Sequence, residues 1–202
     1  MKARFNIIII STEHFFQNEI SLLCKFFLVE QGLLHLRKPH ASKEELRNYL
    51  LQIPKQFHKK IVIHSHFQLA KEFQLKGVHF TEKIRKSKNI ASTLKRKKIK
   101  IISSSFHSIN EIKRSRREYE YVFLSPIFDS LSKNNYKSGF TLDALKKFLK
   151  TNKNNIVALG GINDKNIEKV KKVGFSGAAT IGYVWGSKTP VQSYKNLISK
   201  IK

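Results

Sequence analysis

In the stretch 156–164, Ile-Val-Ala-Leu-Gly-Gly-Ile-Asn-Asp, four apolar residues run into a glycine pair and then into residues that read as the cap of a helix. Without a Cβ, Gly160 and Gly161 let the backbone approach a ligand closely or adopt positive φ, and their amides can donate to an anion. Phosphate is the natural guest. The alternative is a tight turn with no ligand at all. Polar residues or glycine follow other short apolar runs in the same way: Ser11, Arg37, His64, Thr81, Ser103 to Ser105, Ser125 and Gly182. Taken singly, each is an ordinary strand end. Taken together, they are hydroxyls, a guanidinium, an imidazole and backbone amides of the kind that a site for a phosphorylated ligand uses.

The elements that must position these residues are the apolar runs themselves. Phe5–Ile10, Leu33–Leu36, Ile61–Ile63, Gly77–Phe80, Ile99–Ile102, Tyr121–Leu124, Ile156–Leu159 and Gly177–Ile181 are each followed by a longer segment with amphipathic helical spacing. That alternation predicts βα units around a parallel sheet. Eight units predict a single-domain α/β protein, a (β/α)8 TIM barrel spanning residues 1–202. An open doubly wound sheet is the competing architecture, because about 25 residues per unit is short for a barrel. Ser42 with Glu45, and Ser108 with Glu111, have the spacing of capping boxes that start two of the helices. In a barrel the strand ends converge on one mouth, and the loops after the seventh and eighth strands, here Gly160-Gly161 and Ile181-Gly182, are where phosphate is frequently held.

Composition limits the partners. The 39 Lys and Arg against 14 Asp and Glu give a formal charge of +25, enough to attract polyanions. The lysines are spread along the chain, however, and the densest cluster, Lys95-Arg-Lys-Lys98, comes with no RNA-binding aromatic motif and no zinc-finger spacing. Phosphorylated small molecules are the expected partners, and nucleic acid is not. One cysteine, Cys24, excludes an internal disulfide. No apolar run approaches the roughly 20 residues of a membrane-spanning helix, and no segment reads as a signal peptide. The expectation is a cytoplasmic protein with no membrane partner, and a homo-oligomer is compatible with it.

Several blocks then carry a family resemblance: "SPIFDSLSK" at 125–133, "GFTLDAL" at 139–145, "VALGGIND" at 157–164 and "GFSGAATIGYVW" at 174–185, with "HLRK" at 35–38, "LAKEFQLKGVHF" at 69–80 and "SFHSINEI" at 105–112 upstream. In order and spacing they resemble thiamine phosphate synthase, a family that also contains a thiazole tautomerase branch. The resemblance implies the (β/α)8 barrel independently. It also implies an enzyme of thiamine biosynthesis that joins hydroxymethylpyrimidine diphosphate to a thiazole phosphate and releases diphosphate. By it, Gly160, Gly161 and Gly182 would hold the thiazole phosphate. Ser130, Ser132 and Lys133 match the family's hydroxyl, hydroxyl, lysine loop, Lys133 neutralising the leaving diphosphate. Ser105 matches a serine on the diphosphate or pyrimidine, and Arg37 matches the arginine closing the second strand.

The departures bear on the cofactor. Where the family reads Gln-x-Arg-x-Lys, this chain has His35-Leu-Arg37-Lys38-Pro39, so Lys38 is expected to stand in for the missing lysine. The family's Asn-Asp after the third strand is His64-Ser65 here, and Thr81-Glu82-Lys83-Ile84 occupies the loop after the fourth strand. Both aspartates that would hold Mg2+ are therefore missing, and no residue is assigned as a metal ligand. Arg37, Lys38, Lys83 and Lys133 would then replace part of the metal's charge. A tautomerase would instead need a general base, and Pro126 stands where that branch has its histidine. His64, expected to face the mouth, is the candidate substitute, with His66, His79 and His107 behind it. A barrel that binds a thiazole phosphate without turnover is the non-catalytic alternative.

Overall fold

Short runs of Ile, Val, Leu and Phe buried on both faces form parallel strands, because helices cover the outside and side chains fill the inside. The computed structural model describes residues 5–29, 32–87, 99–129 and 139–202. Its strands are β1 (Asn6–Ile10), β2 (Leu33–Leu36), β3 (Ile61–Ile63), β4 (Gly77–Phe80), β5 (Ile101–Phe106), β6 (Tyr121–Leu124), β7 (Ile156–Leu159) and β8 (Gly177–Thr180). They close in sequence order into a (β/α)8 barrel. The helices are α1 (Glu19–Leu28), α2 (Lys43–Leu51), α3 (Gln68–Glu72), α4 (Glu82–Lys86), α5 (Ile109–Arg114), α6 (Leu142–Thr151), α7 (Ile167–Val173), α8 (Gly182–Trp185) and α9 (Pro190–Ser199). A 3-10 turn, Lys55–Lys60, precedes β3. The open doubly wound sheet is thereby excluded.

Five of the strands, β2, β3, β4, β6 and β7, have the bounds that their apolar runs predict. The first and eighth are each one residue shorter than their runs, and the fifth differs most: it runs from Ile101 to Phe106, so Ser103 to Ser105 lie within it and not beyond its end. Ser103 and Ser104 are fully buried there. The Ser104 hydroxyl donates to the carbonyl of Phe80 at 2.8 Å, which makes its burial tolerable. Local chemistry starts the helices as expected. Ser42 accepts from the Glu45 amide at 3.2 Å while the Ser42 amide donates to Glu45 Oε2 at 2.7 Å, a complete capping box. Ser108 does cap α5, but through the amide of Asn110 and not through the Glu111 box that the spacing predicts, and Thr81 and Thr141 cap α4 and α6.

Contacts divide the chain into two compact units, Met1–Ile8 with Ser105–Lys202, and Ile9–Ser104. In the first, Tyr194 of α9 is fully buried and its hydroxyl donates to the carbonyl of Ile7, tying the C-terminal helix to β1. In the second, Ser11 at the end of β1 accepts from the Arg37 amide at 2.8 Å, and its own amide donates to the His35 carbonyl. Among the described residues no helix is long and apolar enough to cross a membrane.

Candidate functional site

In the first unit, the chain leaves β7 through two residues with positive φ, Gly160 at 99° and Gly161 at 64°. The loop after β6 lies against them: the Ile127 and Phe128 amides donate to the carbonyls of Leu159 and Gly160 at 3.0 and 3.2 Å. A Cβ on Gly160 would come within 2.9 Å of Pro126 Cα, and one on Gly161 within 2.6 Å of the Asp129 carbonyl. The pair therefore has a packing reason of its own, and the tight-turn reading is part of the truth. The Asn166 side chain donates to the Gly161 carbonyl at 2.8 Å and accepts the Asn163 amide at 3.0 Å, holding the turn open toward α7. The amides of Gly160 and Gly161 meet no acceptor among the described residues. That leaves the turn able to bind a phosphate by its backbone.

Gly182 begins α8 directly after Ile181, and the Thr180 hydroxyl just before is buried with no hydrogen-bond partner. Ser105, half-buried, is the next-to-last residue of β5. His107 is exposed, with Nδ1 2.9 Å from the Ser125 carbonyl. Ser130, Ser132 and Lys133 lie outside the described residues, as does the Lys95–Lys98 cluster.

The second unit departs from expectation at Lys38. Its ammonium is not offered to a ligand: Lys38 is 1% exposed, and Nζ donates to both oxygens of Glu19 at 2.8 Å and to the His14 carbonyl at 2.7 Å. It also lies over the Phe15 ring, 4.9 Å from the centroid. Burial pulls its pKa down against the opposing pull of Glu19. Lys38 is a structural cation, and it drops out of the charges available to a diphosphate. Arg37, half-exposed, pairs with Glu13 at 2.5 Å. Glu82, the acid in the loop after β4, pairs with Lys86 at 2.6 Å, and Lys83 is exposed beside it.

His64 also departs from expectation, since it is buried among other imidazoles and not presented to solvent. Its Nε2 lies 2.8 Å from His35 Nδ1, and its ring stacks on His79 with centroids 4.2 Å apart. His79 in turn bonds Ser103 Oγ through Nδ1 at 2.8 Å. His35 and His79 are fully buried. Strand register brings the three together: His35 pairs with Val62, two residues before His64, and Ile63 pairs with Val78, one residue before His79. Side chains alternate along a strand, so all three share one face. Burial drives each imidazole toward the neutral form, with Arg37 adding to the effect on His64 and His79, and His79 is brought down to about 3. In the sequence His64 and His79 stand singly and His35 carries no signal of its own, because positions 35, 64 and 79 meet only through register.

The fit to Mg2+ is poor in this unit. Mg2+ takes hard oxygen ligands, usually carboxylates, in octahedral geometry. The positions of the two missing aspartates offer an imidazole, the hydroxyls of Ser65 and Thr81, and a Glu82 carboxylate already paired with Lys86.

Comparison with known proteins agrees with the barrel and with its sequence blocks. The thiamine monophosphate synthase family matches residues 7–184. A thiamine-phosphate synthase of Prochlorococcus marinus is 32% identical over 155 residues, 76% of this chain but 44% of that protein, so the match spans less than half of its length. A thiamine-phosphate synthase of Methanococcus maripaludis is 26% identical over the whole chain and 96% of its own length. The crystal structure of thiamine phosphate pyrophosphorylase from Bacteroides thetaiotaomicron superposes with a TM-score of 0.81 at 29% identity, covering 97% of each chain. With a match across nearly all of its length and the same barrel, the chain belongs to the thiamine monophosphate synthase family.

Proposed function

We propose that the chain is a thiamine phosphate synthase, joining hydroxymethylpyrimidine diphosphate to a thiazole phosphate, and that residues 1–202 work as one domain in the cytoplasm. The observation that carries the reading is the Gly160-Gly161 turn, with positive φ at both residues and amides left for an anion, on a family match that spans it. Gly160, Gly161 and Gly182 bind the thiazole phosphate by backbone N–H groups. Ser105, Ser130, Ser132 and Lys133 bind the diphosphate, and Arg37 supplies a further cation.

The reaction breaks the bond between the pyrimidine's methylene carbon and the diphosphate oxygen, and the oxygen keeps the electron pair. The thiazole nitrogen gives its lone pair to that carbon, which yields the thiazolium of thiamine phosphate and free diphosphate. No proton need move. The protein's work is therefore positioning and stabilisation of the charge that builds on the leaving diphosphate, with Lys133 and Arg37 nearest that task by type. Because the Mg2+ carboxylates are absent, no step is assigned to that ion. The isomerase alternative needs an accessible base; Pro126 supplies none and His64 is buried, so His64 takes no proton here and that reading would have to rest on the part-buried His66 or the exposed His107.

The test is purified protein incubated with hydroxymethylpyrimidine diphosphate and thiazole phosphate, with and without Mg2+, following thiamine phosphate and diphosphate together. Equal release of both products is expected. Absence of thiamine phosphate under every metal condition overturns the synthase reading, and interconversion of thiazole phosphate carboxylate tautomers would replace it with the isomerase.

A further inference from the structure

We propose that His35, His64 and His79 form a buried binding site for a d-block divalent ion of the Zn2+ class, distinct from the phosphate-binding turn. One ring nitrogen from each lies within 4.8 Å of the others. A four-coordinate ion with bonds of about 2.0–2.1 Å holds its nitrogens about 3.3 Å apart, so the cluster closes on an ion by small ring rotations. Loading replaces the 2.8 Å contact between His35 and His64 and turns the His64 ring out of its stack on His79.

The second observation is the Nδ1 atom of His64, which is buried with no hydrogen-bond partner. A neutral imidazole has one N–H and one bare nitrogen. If His64 Nε2 accepts from His35, the buried Nδ1 carries an orphaned proton; if Nε2 donates, Nδ1 is a bare lone pair, which is the form that binds a metal. His58 shows that the fold can satisfy a buried imidazole: its Nδ1 lies 3.1 Å from the Phe73 carbonyl and its Nε2 3.0 Å from the Ile53 carbonyl. His64 has no such arrangement. Ser103 adds the outer contact typical of metal-bound histidines, engaging Nδ1 of His79 and fixing that ring's orientation.

The donor chemistry selects the ion. Three imidazoles suit Zn2+, Co2+, Ni2+ or Cu2+ and not Mg2+ or Ca2+, and three protein ligands leave one position for water or a ligand atom. His35 and His64 stand where the family pattern has Gln and Asn, so the cluster belongs to this chain's departures from that pattern.

The experiment is calorimetric titration of chelator-treated full-length protein with Zn2+, paired with the visible spectrum of the Co2+ form. Expected are one ion per chain, the d–d bands of four-coordinate Co2+, a raised Tm with Zn2+, and no competition from excess Mg2+. His64→Asn and His79→Asn should each weaken binding by at least about 100-fold, and Ser103→Ala by about 10- to 100-fold. Circular dichroism checks that the variants fold. Should they not, ring-nitrogen NMR of the native chain decides instead: Zn2+ should shift three of its eight histidines. Absence of the Co2+ bands, shifts confined to other histidines, or binding that survives loss of His64 and His79 together would overturn the site. The readouts do not depend on turnover, so they stand or fall apart from the synthase assay.

Discussion

The two compact units solve the problem of filling a barrel in opposite ways. In Ser105–Lys202, the strands Tyr121–Leu124, Ile156–Leu159 and Gly177–Thr180 are apolar or small nearly throughout, and their chemistry sits in the backbone of the turns that follow. In Ile9–Ser104 the strands themselves carry polar side chains inward: His35, His79 and Ser103 are fully buried, with the Lys38–Glu19 pair sealed off nearby. The first arrangement costs the fold little, since main-chain amides at a turn are ordinary. The second obliges each buried polar group to find a partner, and an unpartnered one costs about 1–3 kcal/mol. A fold retains such groups without penalty only where they are paired; in this unit Tyr49, Ser65 and His64 each keep an unpartnered buried polar atom, and that of His64 lies in a cluster of imidazole donors, which marks the place to look for a ligand.

The comparison can be broken most forcefully at Lys38. Lys38→Met leaves Glu19 buried without its partner, and should cost about 3–5 kcal/mol of stability in a denaturant melt. A change within experimental error would mean that the pair is solvated and not sealed. For the other unit, Lys133→Ala should lower turnover about 100- to 1,000-fold with Tm unchanged, the size of effect seen when one charge-stabilising donor is lost. An unchanged rate removes Lys133 from the mechanism.

Next in size is Gly161→Ala. The new Cβ would meet the Asp129 carbonyl and not open space, and the positive φ adds strain of about 1–3 kcal/mol. The variant should therefore lose stability as well as thiazole phosphate affinity, and weakened affinity at full stability would show that a ligand, and not Asp129, occupies that space. The smallest expected effect is acid sensitivity of the histidine unit. His79 is held at about 3 when folded and returns to about 6.5 when unfolded, so the unfolded chain binds the extra proton between those values. Stability is complete above about pH 6.5 and falls below it, by about 2 kcal/mol at pH 5 from His79 alone. Chelator-treated protein melted at pH 7 and pH 5 tests this, and equal stability would mean that the cluster is open to water.

Much of the fold was legible in residue order because the signals are local. Apolar runs bounded by glycine or polar residues marked β2, β3, β4, β6 and β7 to the residue, and Ser42 with Glu45 marked the start of α2. β5 was misplaced because Ser103 to Ser105 are polar; the hydrogen bonds that make Ser103 and Ser104 acceptable inside come from His79 and Phe80, some 24 residues away. The glycine pair was legible as a turn, but its contact with Asp129 was not.

What the sequence determined alone is therefore the eight parallel strands and their order, the glycine turn after β7 and the family, all of which are written in contiguous residues. Only the tertiary structure decided that Lys38 turns inward to Glu19 and that His35, His64 and His79 share one face. A side chain's partner is set by strand register and by what a neighbouring loop brings within about 3 Å, and at that range a hydrogen bond or ion pair takes no account of separation along the chain.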